Sequence, residues 1–523
     1  MKIIKLDLMT KRTPLAIGIG LILGLQGLAV SAHPKEETDK DKEKEKVVRE
    51  LETVEIQGRA TDLIGIASSA SEGVVGQPEF KYRPISRVGE LVEVVPGAVA
   101  TQHSGSGKAN QYFLRGFNLD HGTDFSVSVD GIPMNMPTHA HGQGYLDLNS
   151  IIPELVDRVE YGKGPYYADA GDFSSAGYSR MHTMHKLQDN FLKFTGGEFG
   201  YYRTVLGASH KLGDGDLLIG SEVNFYDGVW QQPEDTNKYN GMLRYTIDKD
   251  NWGMSVNGKA YYNTWNATNQ IPERAINDGR LGLYGTGDPS DGGVTNRYSL
   301  SGNYWNRNDK SRNDVNIYAL YSDLDLYSNF TGYIDKVNGD QIQQKERRVQ
   351  AGGNAEHTRY DKLFGRDIDN TVGVQVRHDE IMGLALNKTK ARKFVSNVRE
   401  DDITQTSVGV YLKSEMHWLE KFRTITGVRG DFFDFTVNSL SLPVNSGSKD
   451  ASLASPKLSM IFGPWYDTDI FINVGYGYHS NDARGTSIKI DPTDGVTPAT
   501  TVNPLVRSRG GEAGVRTQFI PGL

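Results

Sequence analysis

Cysteine is absent from all 523 residues, which excludes disulfides, thiolate metal sites and thiol catalysis. Apolar residues are sparse too, at 37%, and beyond residue 30 no apolar run is long enough to cross a bilayer as a helix. Basic charge is not in excess: the net charge is -8 with both signs interspersed, so no surface for nucleic acid stands out. What the chain does have is glycine, 59 residues, and tyrosine, 26 residues. That mixture suits many strands joined by turns better than helices, and the length allows a large sheet beside a smaller domain.

Lys2, Lys5, Lys11 and Arg12 precede an apolar run at 14–30, and the small residues at 29–32 (AVSA) fit a cleavage site after Ala32. Residues 1–32 therefore read as a secretory signal peptide, with a signal anchor as the alternative. An exported chain without a later apolar span is periplasmic, secreted or an outer-membrane barrel. Residues 33–50 (HPKEETDKDKEKEKVVRE) are nearly all charged and read as a flexible leader. Residues 51–58 (LETVEIQG) form a lone β-prone patch, suited to adding as a strand to a partner's sheet.

Residues 61–186 read as a small α+β domain. A short helix is expected at 86–95, ended by Pro96-Gly97, and a second at 151–156. Strands are expected at 111–115, 125–130 and 156–161, closed by Arg115-Gly116, Asp130-Gly131 and Gly164-Pro165. From residue 187 the pattern changes to alternation: Leu217, Ile219, Ser221, Val223 and Phe225 interleave with Leu218, Gly220, Glu222, Asn224 and Tyr226. Similar segments recur at 239–247, 252–262, 315–326, 371–376, 408–412 and 470–478. Tight links at 213–216, 248–251 and 464–469 take turns with long polar connections at 265–295, 326–345, 382–405 and 481–506. Short turns at one end and long loops at the other predict a transmembrane β-barrel rather than a soluble sandwich.

In this order the parts resemble a TonB-dependent outer-membrane receptor. LETVEI at 51–56 is similar to a TonB box. Val95-Pro96-Gly97, FLRGFN at 113–118, SVDGIP at 128–133 and LVDRVEYGKGPYYADAG at 155–171 resemble the succession of motifs in a plug domain. Gly177 and Thr183 keep the spacing of the last plug strand, while Ser179, Arg180 and His182 depart from it. The resemblance implies a plug domain followed by an antiparallel transmembrane β-barrel at 187–523. About fourteen strand candidates are present against the twenty-two strands of family barrels, so the C-terminal part of the barrel reads as missing. It further implies energised uptake of a scarce metal or metal chelate, with no permanently bound cofactor and no enzymatic activity. The location implied is the outer membrane of a Gram-negative bacterium. The partners implied are outer-membrane lipid, the ligand, and TonB with its inner-membrane complex, contacted through Glu52, Thr53, Val54, Glu55 and Ile56. A passive porin-like channel, a non-functional remnant and an enzyme are the alternatives.

Residues 133–145 (PMNMPTHAHGQGY) fall where the resemblance puts an apical plug loop. His139 and His141, two apart on an extended chain, share one face. His103, His121, His139, His141, His182 and His185 are half of the twelve histidines, with Met134, Met136, Met181 and Met184 beside them. Imidazole and thioether donors suit transition metals. The candidate ligand-binding residues are His103, Met134, Met136, His139, His141, Gln143 and Tyr145, with His139 and His141 the candidate metal ligands; the alternative is that these side chains fill the plug–barrel seam or hydrogen-bond an iron chelate. HSGSGKAN at 103–110 is similar to a phosphate loop but lacks its first glycine and its Ser/Thr, which argues against a nucleotide site.

Overall fold

The computed structural model describes residues 63–83, 85, 87–331 and 339–520, all within the compact unit Ile56–Leu523. The signal peptide, the leader and the box at 51–58 lie outside the described residues.

The smaller domain is built from β1 (Glu72–Gly76), β2 (Ala98–Thr101), β3 (Gln111–Leu114), β4 (Phe117–Asn118), β5 (Phe125–Val129), β6 (Ile132–Pro133), β7 (Val156–Lys163) and β8 (Gly177–Thr183). Its main sheet runs β1-β7-β8-β5-β6, and β2-β3-β4 make a separate three-stranded sheet. Val127 and Val129 of β5 and Val156, Val159 and Tyr161 of β7 meet Leu91, Val92, Leu146 and Met181 in one apolar core. The two expected helices are 3-10 rather than α: a seven-residue stretch, Val88–Val94, and a single turn, Pro153–Leu155. Proline and glycine stop the first after Val95, with Gly97 at φ +81°.

The last strand of this domain is central despite its departures from pattern. β8 lies between β7 and β5, parallel to β5, and its two ionisable side chains are paired: Arg180 with Asp169 at 2.8 Å and His182 with Glu160 at 3.2 Å. Gly177 has φ +146°, and a Cβ there would run into the Gly162 carbonyl. Asp130-Gly131 turns β5 into β6 with φ of +52° and +82°, as a two-residue hairpin requires.

The larger domain is a sheet of 14 strands in sequence order: β9 (Phe191–Gly196), β10 (Tyr202–Leu212), β11 (Gly215–Tyr226), β12 (Thr236–Lys249), β13 (Trp252–Asn266), β14 (Gly292–Asn308), β15 (Ser311–Ser328), β16 (Ile342–Leu363), β17 (Arg366–Lys390), β18 (Lys393–Leu419), β19 (Phe422–Ser439), β20 (Gly447–Phe462), β21 (Thr468–Ser480) and β22 (Leu505–Thr517). Every neighbouring pair is antiparallel, and the strand number matches the sequence expectation. Among the described residues β9 and β22 form no ladder with each other, so both edges carry backbone groups that need partners in an apolar medium.

The faces are inverted relative to a soluble protein. In β13 the outward side chains are Trp252, Met254, Val256 and Tyr262, while Ser255, Asn257 and Tyr261 point inward and are buried. Trp252 and Tyr262 bracket the apolar stretch like the two aromatic girdles of a membrane band. β11 repeats the rule, with Ile219 and Phe225 exposed and Glu222 and Asn224 buried. This polarity removes the soluble-sandwich reading. No helix among the described residues is long and apolar enough to cross a membrane. Val256→Arg on the outer face is expected to cost about 2–4 kcal/mol and to reduce the membrane-inserted fraction on sedimentation, whereas Val256→Leu leaves it unchanged.

One connection differs from expectation. Residues 382–405, read as a polar loop, are the extended ends of β17 and β18, strands of 25 and 27 residues joined at Ala391-Arg392. Both turn residues have positive φ, and the paired backbones satisfy each other whatever the side-chain polarity. The connections after β13, β15 and β21 are long, as expected, and end the sheet on the same side.

Candidate functional site

The first described residues enter at the short-turn end. Gly65 N–H donates to Asp469 at 2.5 Å, Arg423 donates to the Ala67 carbonyl, and Ala67 packs against Ile461 and Phe471. The candidate site lies at the other end. His103 is 3.3 Å from Gln270 in the connection after β13, and Gln143 donates to the Ser480 carbonyl at the end of β21 at 2.9 Å.

Residues 137–144 form a loop closed by the antiparallel bridge Met136↔Tyr145. Tyr145 is its hub: the phenol oxygen accepts from Ala109 N–H at 3.0 Å, and the ring packs with Met136 and Ala109. His139 stacks on it at 4.0 Å between centroids, and His141 meets it edge-on at 5.6 Å. His121 lies 4.7 Å from His141 and 5.2 Å from His103. Three of the six clustered histidines, His121, His139 and His141, therefore meet one tyrosine, and His103 joins them through His121. His182 pairs with Glu160 and His185 packs on Trp305. Met134 and Met181 belong to the plug core, and Met184 to the cluster of Ile152, Leu155 and Leu218.

The loop's backbone is held by the barrel. Ala140 N–H donates to Glu346 at 2.7 Å, Gln344 donates to the Ala140 carbonyl at 3.1 Å, and Arg348 donates to the Thr138 carbonyl. Arg377 donates to the Asn135 carbonyl at 2.7 Å. From the connection after β21, Arg484 donates to the His139 carbonyl and Ala483 N–H to the Thr138 hydroxyl, at 2.8 and 2.9 Å. None of these barrel residues carries a local sequence signal, because polar residues alternate inward along every strand.

The charge at this site is set by burial and by the cations around it. Burial, then the Lys108 ammonium, pushes His121 down to about 4 and His141 well below the ordinary imidazole range. Burial, then Arg348 and Arg484, does the same to His139. These rings are neutral at pH 7, as metal ligands and hydrogen-bond acceptors must be. Lys108 itself, 7% exposed, is lowered to about 8 by burial. Sequence reasoning set Lys108 aside with the phosphate-loop likeness; the glycine-rich stretch that brings it in was the usable signal. Among the described residues no group of three or more His, Asp or Glu side chains is arranged to hold a metal ion. His139 and His141 do not converge: His139 Nδ1 accepts from His141 N–H at 3.1 Å, and its Nε2 faces Glu346 at 3.8 Å.

A second junction joins plug to barrel. Asp130 accepts from Thr183 N–H at 2.9 Å and from the Thr183 hydroxyl at 2.8 Å, pairs with Lys259 at 2.6 Å and Arg244 at 2.9 Å, and accepts from Asn257 at 3.1 Å. Burial works to raise its pKa, but Lys259 and Arg244 overcome this and hold it well below the usual carboxylate range.

A plug with alternating polar anchors inside an inverted, apolar-outside sheet defines an outer-membrane receptor architecture. Comparison with known proteins agrees: the TonB-dependent Receptor Plug Domain profile matches residues 66–178, and the TonB dependent receptor-like, beta-barrel profile matches residues 224–522. The chain belongs to the TonB-dependent receptor family, a family of outer-membrane receptors and transporters in Gram-negative bacteria. The ferric citrate transporter FecA in its unliganded form is similar in fold, at TM-score 0.70 and 13% identity over 87% of this chain and 68% of that one. The copper transporter OprC is similar at TM-score 0.65 and 15% identity, over 88% and 70%. The siderophore receptor PiuA from Acinetobacter baumannii is similar at TM-score 0.67 and 13% identity, over 89% and 72%.

Proposed function

We propose that this chain is an outer-membrane receptor that binds a scarce metal or metal chelate at the long-loop end of its plug and imports it with energy delivered through TonB. The observation that carries the reading is the cluster of His121, His139 and His141 on Tyr145, with His103 against His121, beside a loop at 137–144 that barrel side chains hold in place. Gln143 and Met136 complete the candidate seat. Partner contact is assigned to Glu52, Thr53, Val54, Glu55 and Ile56, upstream of the point where the chain enters at the short-turn end. Strand addition by such a segment needs only free backbone donors and acceptors.

A passive channel requires an open lumen, and the plug's anchoring by Glu346, Arg348, Arg377 and Asp130 argues for a gated one. The test is ligand depletion by the purified chain, using copper and zinc salts and ferric chelates. Saturable depletion without chemical change is expected, and His139→Ala with His141→Ala is expected to weaken it at least about tenfold. Ligand turnover, or depletion indifferent to the double substitution, contradicts the assignment.

A further inference from the structure

Two of the four clustered imidazoles are fixed with Nε2 bare. His121 Nδ1 is 3.0 Å from the Asn110 carbonyl, which only accepts, so Nδ1 carries the proton and Nε2 the lone pair. His141 Nδ1 is 2.8 Å from Gln344 Oε1. The Gln344 amide is itself oriented, because its Nε2 donates to the Ala140 carbonyl; His141 is therefore also protonated at Nδ1 and bare at Nε2. A ring locked by a carbonyl at one nitrogen and open at the other is how metal-ligating histidines are held. His139 is the reverse case, with Nδ1 already accepting and Nε2 turned to Glu346. It braces Tyr145 and offers no lone pair.

The spacing fits a shared ion. With bonds of about 2.1 Å, two imidazoles on one metal have ring centres roughly 5 Å apart, and His121 and His141 are at 4.7 Å. Asp120, mostly exposed, stands 3.8 Å from His121 Nε2 at the rim. Beside them is Lys108, more than nine-tenths buried; among the described residues no hydrogen bond or ion pair closes on its ammonium. A buried cation left unpaired is costly and repels a bare metal ion, while it attracts a complex of net negative charge.

Resting on the receptor reading above, which puts the ligand at this end of the plug, we infer that Nε2 of His121 and Nε2 of His141 are a two-imidazole seat for a first-row divalent metal that arrives as an anionic complex, its charge received by Lys108. Neutral nitrogen donors without a carboxylate cluster favour Cu(II), Ni(II) or Zn(II) over harder ions. The complex must bring its remaining ligands with it and surrender two positions to the protein.

The test uses the full chain with Cu(II)–nitrilotriacetate, an anionic chelate with exchangeable positions, and separately with aqueous Cu2+. The electron paramagnetic resonance spectrum of the wild-type complex is expected to show coupling to two imidazole nitrogens, a readout that needs no variant to fold. His121→Ala and His141→Ala each reduce this to one nitrogen and weaken chelate binding about tenfold or more. Lys108→Gln weakens the chelate about tenfold and does not weaken aqueous Cu2+. Exposed His357→Ala changes neither. No protein nitrogen in the wild-type spectrum, or undiminished affinity in the His121/His141 double variant, overturns the seat; equal loss for both copper forms in Lys108→Gln overturns the role of charge. Such failures leave gradient-driven uptake untouched, whereas an intact two-nitrogen site in a chain without that uptake refutes the receptor reading and keeps the seat.

Discussion

Val54→Pro is expected to abolish energised uptake, to the level of cells lacking the protein, while ligand affinity of the purified chain stays unchanged. Proline removes a backbone N–H and fixes φ, and a strand added to a partner's sheet depends on main-chain donors rather than side chains. The substitution lies far along the chain from the histidine cluster, and the chain reaches the plug at the opposite, short-turn end through Gly65 and Ala67. Val54→Ile, which keeps the donor and the β preference, is expected to retain uptake. Accumulation of isotopically labelled ligand by whole cells, beside equilibrium binding in detergent, separates the two steps. Unaltered uptake by Val54→Pro removes the partner-binding assignment.

Asp130→Ala is expected to have the largest effect on the plug itself. It leaves Arg244, 1% exposed, and Lys259 inside the barrel without their counter-charge, a loss of about 3–5 kcal/mol for breaking a buried pair from one side. It also strips Thr183 of two acceptor contacts at the end of β8. The readouts are protease cleavage within 63–186 at lower urea and increased single-channel conductance. Asp130→Ala combined with Arg244→Met and Lys259→Met is expected to recover much of the loss, because no charge is then stranded. The pH dependence follows from the sign of the shift. Because the folded pKa is depressed, the contribution is complete above the ordinary value of 3.8 and fades as pH falls from there toward the folded pKa. Plug release by acid at pH 5 to 7 that depends on Asp130 contradicts this account.

Much of the fold was legible because its determinants are local. Asp130-Gly131 and Pro96-Gly97 announce turns through φ requirements, and the alternation in 217–226 gives both a strand and its two faces. Which face meets lipid needed the structure, since alternation alone is symmetric to inversion. The 382–405 hairpin was not legible, because its polar residues look like a loop while its backbone pairing is a property of two strands. The departures at Arg180 and His182 looked like weakness in β8 for a related reason: their partners Asp169 and Glu160 lie elsewhere in the plug.

The site divides the same way. The histidine-rich stretch was visible, and Tyr145, His103 and Gln143 sit with it. The choice between histidines was not visible, because it depends on which nitrogen is already engaged, and those partners are the Asn110 carbonyl and the His141 N–H within the plug and Gln344 and Glu346 of the barrel. Lys108 was visible as a residue but not as an unpaired buried charge. Met134 shares its stretch with Met136, yet packs in the plug core while Met136 packs on Ala109 and Tyr145; the shared face that a two-residue spacing gives on a straight strand is not kept beyond β6, which ends at Pro133.

The most direct test of the central claim is uptake of isotopically labelled metal chelate by cells producing the 523-residue chain, measured with and without a protonophore that collapses the inner-membrane proton gradient. The account predicts saturable accumulation that stops when the gradient is lost, with surface binding retained. Accumulation that continues unchanged without the gradient would contradict it and mark the protein as a passive channel.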